Sequence, residues 1–358
     1  MKSIKIAVLG IFTAISLMIS CKKTDIALPK SEANIDSIAS KYYEGYLKMY
    51  PLEATMQGDN RYNDVLPDNM SQDFISKEIN FYNETQKKLQ SLDYESLSDE
   101  DKIVYDVLDY TLKDKIERYA YHPELIPFSQ FEGLPLDFPL LGSAEGNQPF
   151  KTTKDYDNFL KRIDAFTIWM KTAENNFREG MKQNVVLPKK LVIKMIPQMR
   201  GEEIITDDFE KNIFYGPIKK MPTKFTAADK AKYTKLYQEA IKNKLIPAYQ
   251  KMGDFLEKEY LPNARNTDGI YALPNGKNTY TYLAKSWTTT NKTPEEINKI
   301  GLEQVAMLRA EMEKVKTQLG FKGTLEQFLT SLKTNKKATP YKTPEEVIAA
   351  FNGILKKI

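Results

Sequence analysis

The chain is poor in the side chains that carry most enzymatic chemistry. Its 358 residues include one histidine, His122, one cysteine, Cys21, and two tryptophans. An internal disulfide is therefore excluded. So is a zinc site built on cysteine and histidine, which needs three or four such ligands. A Ser-His-Asp or Cys-His nucleophile could be built only around His122, and that residue stands before Pro123 in a tyrosine-rich stretch, where it reads as structural or surface. No block of five like charges occurs, and lysine supplies nearly all of the positive charge. Arginine is the residue favoured for phosphate, so the formal +4 charge reads as a solubility device and nucleic acid is not expected as a partner. P-loop, Gly-x-Ser-x-Gly, Rossmann and His-Glu-x-x-His patterns are all missing.

What is present begins at the N-terminus. Lys2 and Lys5 precede an apolar run, Ile6 to Ile19, that is shorter than the roughly 20 residues a membrane helix needs and fits a signal-peptide core. Met18-Ile19-Ser20-Cys21 then resembles the lipobox of bacterial lipoproteins, with Met where Leu is usual. The reading is a signal peptide over 1–20, lipidation at Cys21, and a tether over 21–31. Several acyl chains on one residue give stable anchoring where a single chain does not. The expected partner is a membrane, reached through the lipid, and the expected address is the bacterial cell envelope at the outer membrane.

Residues 32–358 read as a mostly α fold, a bundle of long helices, although length alone suggests about two domains. Apolar residues recur at three- and four-residue steps behind Ser or Thr caps. Helices are expected over about 32–49, with Ile35, Ile38, Tyr42 and Tyr46 on one face, and over 71–92 and 98–119. Others start at Thr152, at Thr226 (kinked at Pro247), at Thr293 and at Thr343. The helix behind Thr293 carries Ile297, Ile300, Val305, Leu308, Met312, Val315 and Leu319 as an apolar stripe. Between His122 and Phe150, five prolines argue against helix. A small β-hairpin is expected near 269–287, with Pro274-Asn275-Gly276 as its turn and alternation at Tyr280 and Tyr282. The chain closes on apolar positions of its last helix, which reads as truncation.

The acids Asp254, Glu257 and Glu259 read as a solvated helix face, and nothing selects a catalytic carboxylate pair. The 21 tyrosines and 17 phenylalanines could line a groove for a peptide or glycan; at helical spacing they read first as core.

Several stretches taken together resemble a family. They are Tyr50-Pro51-Leu52-Glu53-Ala54-Thr55 with Gly58-Asp59-Asn60-Arg61-Tyr62-Asn63-Asp64, then Gln148-Pro149-Phe150 with Thr152, Asp155, Tyr156 and Leu160. The longest runs from Gly269 through Gly276 to Thr293-Pro294-Glu295-Glu296-Ile297 and Glu311-Met312. These are similar to the bacterial domain of unknown function 885 family, whose members are helical, envelope-associated or secreted, and similar to zinc metallopeptidases. The family's metal motif, a His-Glu pair followed by Pro-Gly-His, lies in a C-terminal part. This sequence has no histidine after His122, so no ligand is carried over.

The resemblance thus implies the N-terminal portion of a metallopeptidase-like lipoprotein, without a catalytic residue or cofactor of its own. Zinc is expected only in a complete family member. Strand addition beside a zinc cleft is a common way to hold a peptide, which makes Tyr280 and Tyr282 the candidate substrate-binding residues. The alternative is a non-catalytic, lipid-anchored helical protein that binds peptides or glycans.

Overall fold

The computed structural model describes residues 34–337 and 340–358. The signal segment expected over 1–20, the tether expected over 21–31 and the expected lipidation position Cys21 lie outside the described residues. The fold is mostly helical. Its helices are α1 (Ile35–Met49), α2 (Pro51–Met56), α3 (Gln72–Gln90), α4 (Asp99–Glu117) and α5 (Leu134–Gly142). They continue as α6 (Thr153–Lys182), α7 (Lys189–Met199), α8 (Gly216–Lys219), α9 (Ala227–Ala240) and α10 (Ile246–Phe255). The last are α11 (Leu261–Asn263), α12 (Gly276–Thr288), α13 (Pro294–Gln318), α14 (Leu325–Lys333) and α15 (Pro344–Leu355).

Side-chain caps fix many of the helix starts. Ser71 and Ser98 each accept a bond from the backbone N–H three residues on. Thr152 pairs reciprocally with Asp155, and Thr226 with Asp229. Thr293 and Glu296 form a full capping box, and Thr343 accepts from the Glu346 N–H. Each cap satisfies an orphan donor and contributes roughly 1 kcal/mol.

The described chain divides into two compact units. The first takes the N-terminal residues to Ala120, then 140–169 and 214–240. Here α1, α3 and α4 pack on one another around Ile35, Ile38, Tyr82, Leu89, Leu108 and Leu112. Tyr42 stacks on Phe81 at 5.8 Å between ring centroids. A second focus is the buried Tyr156, whose ring meets those of Phe150, Phe225, Tyr233 and Tyr237 within 5.6 Å. Its hydroxyl donates to the Pro217 carbonyl at 2.7 Å, so this large aromatic is buried with its polar end satisfied.

The second unit takes residues 121–139, 170–213 and 241 onward. Phe177 anchors it against Phe128, Phe255 and Tyr260. The kink expected at Pro247 takes the form of a π-helical turn, Ile241–Leu245, directly ahead of that proline; a second, Leu256–Tyr260, precedes Pro262. A wider turn relieves the clash between a proline ring and the carbonyl of the preceding turn.

Two expectations are corrected. The proline-rich stretch holds a helix, α5, with Pro139 inside it. Pro135 sits in the first turn, where its missing N–H costs nothing. Pro139 leaves the Pro135 carbonyl without its helical donor, and the Tyr249 hydroxyl supplies one at 2.8 Å.

The β-hairpin near 269–287 is absent. That segment forms a 3-10 turn, Ile270–Ala272, followed by α12, and the bridge between Pro188 and Arg265 is the β-pairing found among the described residues. The turn signal is real but opens a helix. Asn275 is left-handed, at φ 58°, and a Cβ on Gly276 would lie 2.1 Å from the Ile270 carbonyl oxygen. The β-favouring threonines are accommodated because Thr279, Thr281 and Thr288 bond their hydroxyls to carbonyls four residues back.

The expected stripe on α13 exists but faces outward. Neither α13 nor α15 contributes a buried residue, and Val305, Leu308, Met312, Val315, Ile348, Phe351 and Leu355 are all exposed. Helix α14 differs, burying Leu325 and Phe328, with Phe321 against the latter at 5.4 Å. Among the described residues, no helix is long and apolar enough to cross a membrane.

Candidate functional site

Helix α12 separates the two tyrosines singled out from the sequence. In a strand they would alternate to opposite sides of their neighbour and share one face; in a helix, two residues apart means about 200° apart. Tyr282 is 5% exposed and stacks on Tyr121 at 4.5 Å with an interplanar angle of 13°. Tyr280 is 41% exposed and its ring lies 5.3 Å from that of Tyr271. Trp287, seven residues further along the same face, is 85% exposed. Tyr271, Tyr280 and Trp287 therefore form an exposed aromatic ledge, whereas Tyr282 packs.

His122 occupies a left-handed backbone conformation, φ 50°, unusual for a residue with a side chain. Its Nδ1 lies 3.0 Å from Glu124 Oε1. Glu124 is buried, and its Oε2 has no hydrogen-bond partner. A carboxylate behind one ring nitrogen orients the imidazole and leaves the other nitrogen for solvent. Among the described residues, no group of three or more His, Cys, Asp or Glu side chains is placed to hold a metal ion.

The acids of the α10 region are paired within the second unit. Arg200 bonds both Asp254 and Glu257 at 2.7 Å, and Arg178 bonds both oxygens of Glu259 at 2.7 Å. The Arg178 bond holds the Glu259 carboxyl below its ordinary range, and Arg200 does the same for Glu257. Asp254 is lowered first by Lys258 and then by Arg200. The buried Glu174 lies between Arg178 and Lys251, at 2.7 and 2.8 Å. This is a network of ion pairs, with every acid committed to a cation.

Two nodes of the first unit lay beyond sequence reasoning. The buried Glu78 carboxylate accepts hydroxyl bonds from Tyr50, Tyr82 and Tyr119. Burial, and then the Glu78 charge, push the Tyr50 hydroxyl well above its ordinary pKa. Tyr82 shifts the same way, from burial and then Tyr50. Tyr42 is pushed up to about 12, by burial and then by Tyr46.

The second node is Arg162, which is wholly buried. Its Nε donates to the Val65 carbonyl at 3.1 Å; its Nη2 donates to Thr55 Oγ1 at 2.8 Å and the Tyr62 carbonyl at 3.1 Å; its Nη1 donates to Gln148 Oε1. Burial lowers its pKa to about 10, with Asp64 opposing. Two of the stretches that carry the family resemblance, 50–64 and 148–160, thus meet at this guanidinium. Thr55 also bonds Asn63 at 2.7 Å, which ties the first stretch to itself.

A comparison with curated proteins finds no match. Among solved structures, the chain is similar to a lipoprotein candidate from Colwellia psychrerythraea, with a TM-score of 0.69 at 19% identity. The likeness covers 90% of this chain, and the chain spans 58% of that protein's length. At that identity the likeness establishes a shared helical fold. A family model described as a bacterial protein of unknown function, DUF885, matches residues 51–358, nearly everything beyond the N-terminal segment, and the chain belongs to that family.

Proposed function

We propose that this chain is a lipid-anchored protein of the bacterial cell envelope, held at the outer membrane through Cys21. In this reading it forms the N-terminal, non-catalytic part of a metallopeptidase-like assembly. The observation that carries it is the exposed apolar stripe of α13, with the apolar face of α15, in a fold that spans 58% of a longer structural relative. Exposed apolar faces of this kind mark surfaces that other protein covers.

The residues here do not fit a zinc centre. His122 and Glu124 supply one imidazole and one carboxylate, already bonded to each other, and a catalytic zinc takes three protein ligands. No step of a reaction is therefore assigned to this chain through a metal. A second reading, a binding protein for peptides or glycans, draws on the aromatic ledge of Tyr271, Tyr280 and Trp287, whose flat faces suit stacking.

One experiment tests both. The purified full chain is assayed for bound zinc, for cleavage of a peptide library with and without chelator, and for thermal stabilisation by the same peptides and by oligosaccharides. The expected outcome is no stoichiometric zinc and no chelator-sensitive cleavage. Stabilisation without turnover that is lost in Trp287→Ala favours the binding reading. Stoichiometric zinc with chelator-sensitive cleavage overturns the non-catalytic assignment.

A further inference from the structure

Arg162 is a buried cation without a counter-ion. Among the described residues no carboxylate bonds it. Asp64, the acid whose charge reaches it, is taken by Lys161 at 2.9 Å. A buried charge lacking a partner is costly, and neutral acceptors offset only part of that cost.

The donors around it are also in excess. Nε has its acceptor in Val65, and Nη2 has Thr55 and Tyr62, with the Pro51 carbonyl further off at 3.4 Å. Nη1 carries two N–H groups but a single acceptor, Gln148 Oε1. Gln148 is itself only 3% exposed, and its Nε2 is buried without a partner. Turning the amide over would set NH2 against the guanidinium, donor against donor, so its orientation is fixed by chemistry. Around Gln148 there are therefore a spare guanidinium N–H, two unpartnered amide N–H groups and a net positive charge.

We propose that a small monovalent anion of chloride's size binds beside Arg162 and Gln148. It would be held by Nη1 on one side and by Nε2 on the other. An acceptor-only species fits donors that lack acceptors, and its charge neutralises the guanidinium. A water molecule could accept the same bonds but would have two hydrogens of its own to place and would leave the charge uncompensated.

The test uses the purified full chain in detergent, melted at fixed ionic strength while chloride replaces gluconate, a much larger organic anion. Wild type gains about 3 °C in Tm as chloride rises a hundredfold through the binding range. In Gln148→Glu a built-in carboxylate takes the anion's place, so Tm is equal in the two salts and no lower than that of wild type in chloride. Crystals of wild type soaked in bromide show an anomalous peak within hydrogen-bonding distance of Arg162 Nη1. Equal melting of wild type in chloride and gluconate overturns the proposal. So does a chloride increment that survives in Gln148→Glu, which would place the effect on the lysine-rich surface. If that variant does not fold, the bromide map decides alone, and a bromide-free site overturns the proposal.

Discussion

Glu78 shows how a charge is held inside a helical unit without a cation. Three phenol hydroxyls converge on one carboxylate, each a charge-assisted bond stronger than a neutral one. Burial, and after it the neighbouring Glu78 and Tyr50, keep Tyr50 and Tyr82 protonated, which makes stability sensitive to alkali. Tyr42, packed beside this node but not bonded to Glu78, moves the same way: burial and then Tyr46 raise its hydroxyl from about 10 to about 12 in the folded chain. Below pH 10 both folded and unfolded chains keep this proton, and the contribution is fully present. Between pH 10 and 12 the unfolded chain releases it while the folded chain retains it, so stability falls as pH rises through that window. Tyr50 and Tyr82 act in the same direction. Denaturation midpoints measured from pH 9 to pH 12 should decline beyond pH 10, and less steeply in Tyr42→Phe; a flat profile through pH 11.5 contradicts this origin. Neither this node nor Arg162 could be read from the sequence. Their bonds join residues 28, 41, 97 and 111 positions apart, a separation to which local periodicity is blind.

At the scale of elements, the legible features are those decided by neighbouring residues. The Ser and Thr caps were readable because a cap and its N3 partner lie within one turn. The segment 269–288 was not, since Pro-Asn-Gly serves a hairpin turn and a helix start equally, and what decides is the close approach of Gly276 to the Ile270 carbonyl. Helix α5 teaches the same lesson from the other side. Proline density argued against a helix, and a tyrosine 114 residues away makes one tolerable by capping the carbonyl that Pro139 abandons. Tyr249→Phe keeps the ring and deletes that donor. It should leave the buried Pro135 carbonyl unsatisfied and cost about 1–3 kcal/mol, read as a lower denaturant midpoint with an unchanged slope. A loss below about 0.5 kcal/mol would mean that water replaces the hydroxyl without penalty.

For the molecule as a whole, the apolar stripe was legible and its direction was not. A 3.6-residue period shows that one face of α13 is apolar, and the usual inference is that such a face points into the core. Here Val305, Leu308, Met312 and Val315 fall on one stripe of α13 and are exposed, and α15 adds Ile348, Phe351 and Leu355. Exposed faces of that extent bind apolar dyes and draw chains together. The isolated chain should therefore bind anilinonaphthalene sulfonate while fully folded, and sediment as larger species with rising concentration. Leu308→Glu with Val315→Glu should abolish most of both effects and leave helicity and Tm nearly unchanged, because both side chains are about half exposed and neither belongs to the buried core. Had the stripe instead been closed by rearrangement of α13 onto its own unit, the wild-type chain would bind no dye, and the double substitution would lower Tm by placing two charges in a core. The two outcomes differ in sign, so one titration with dye and one melt decide whether this face awaits other protein.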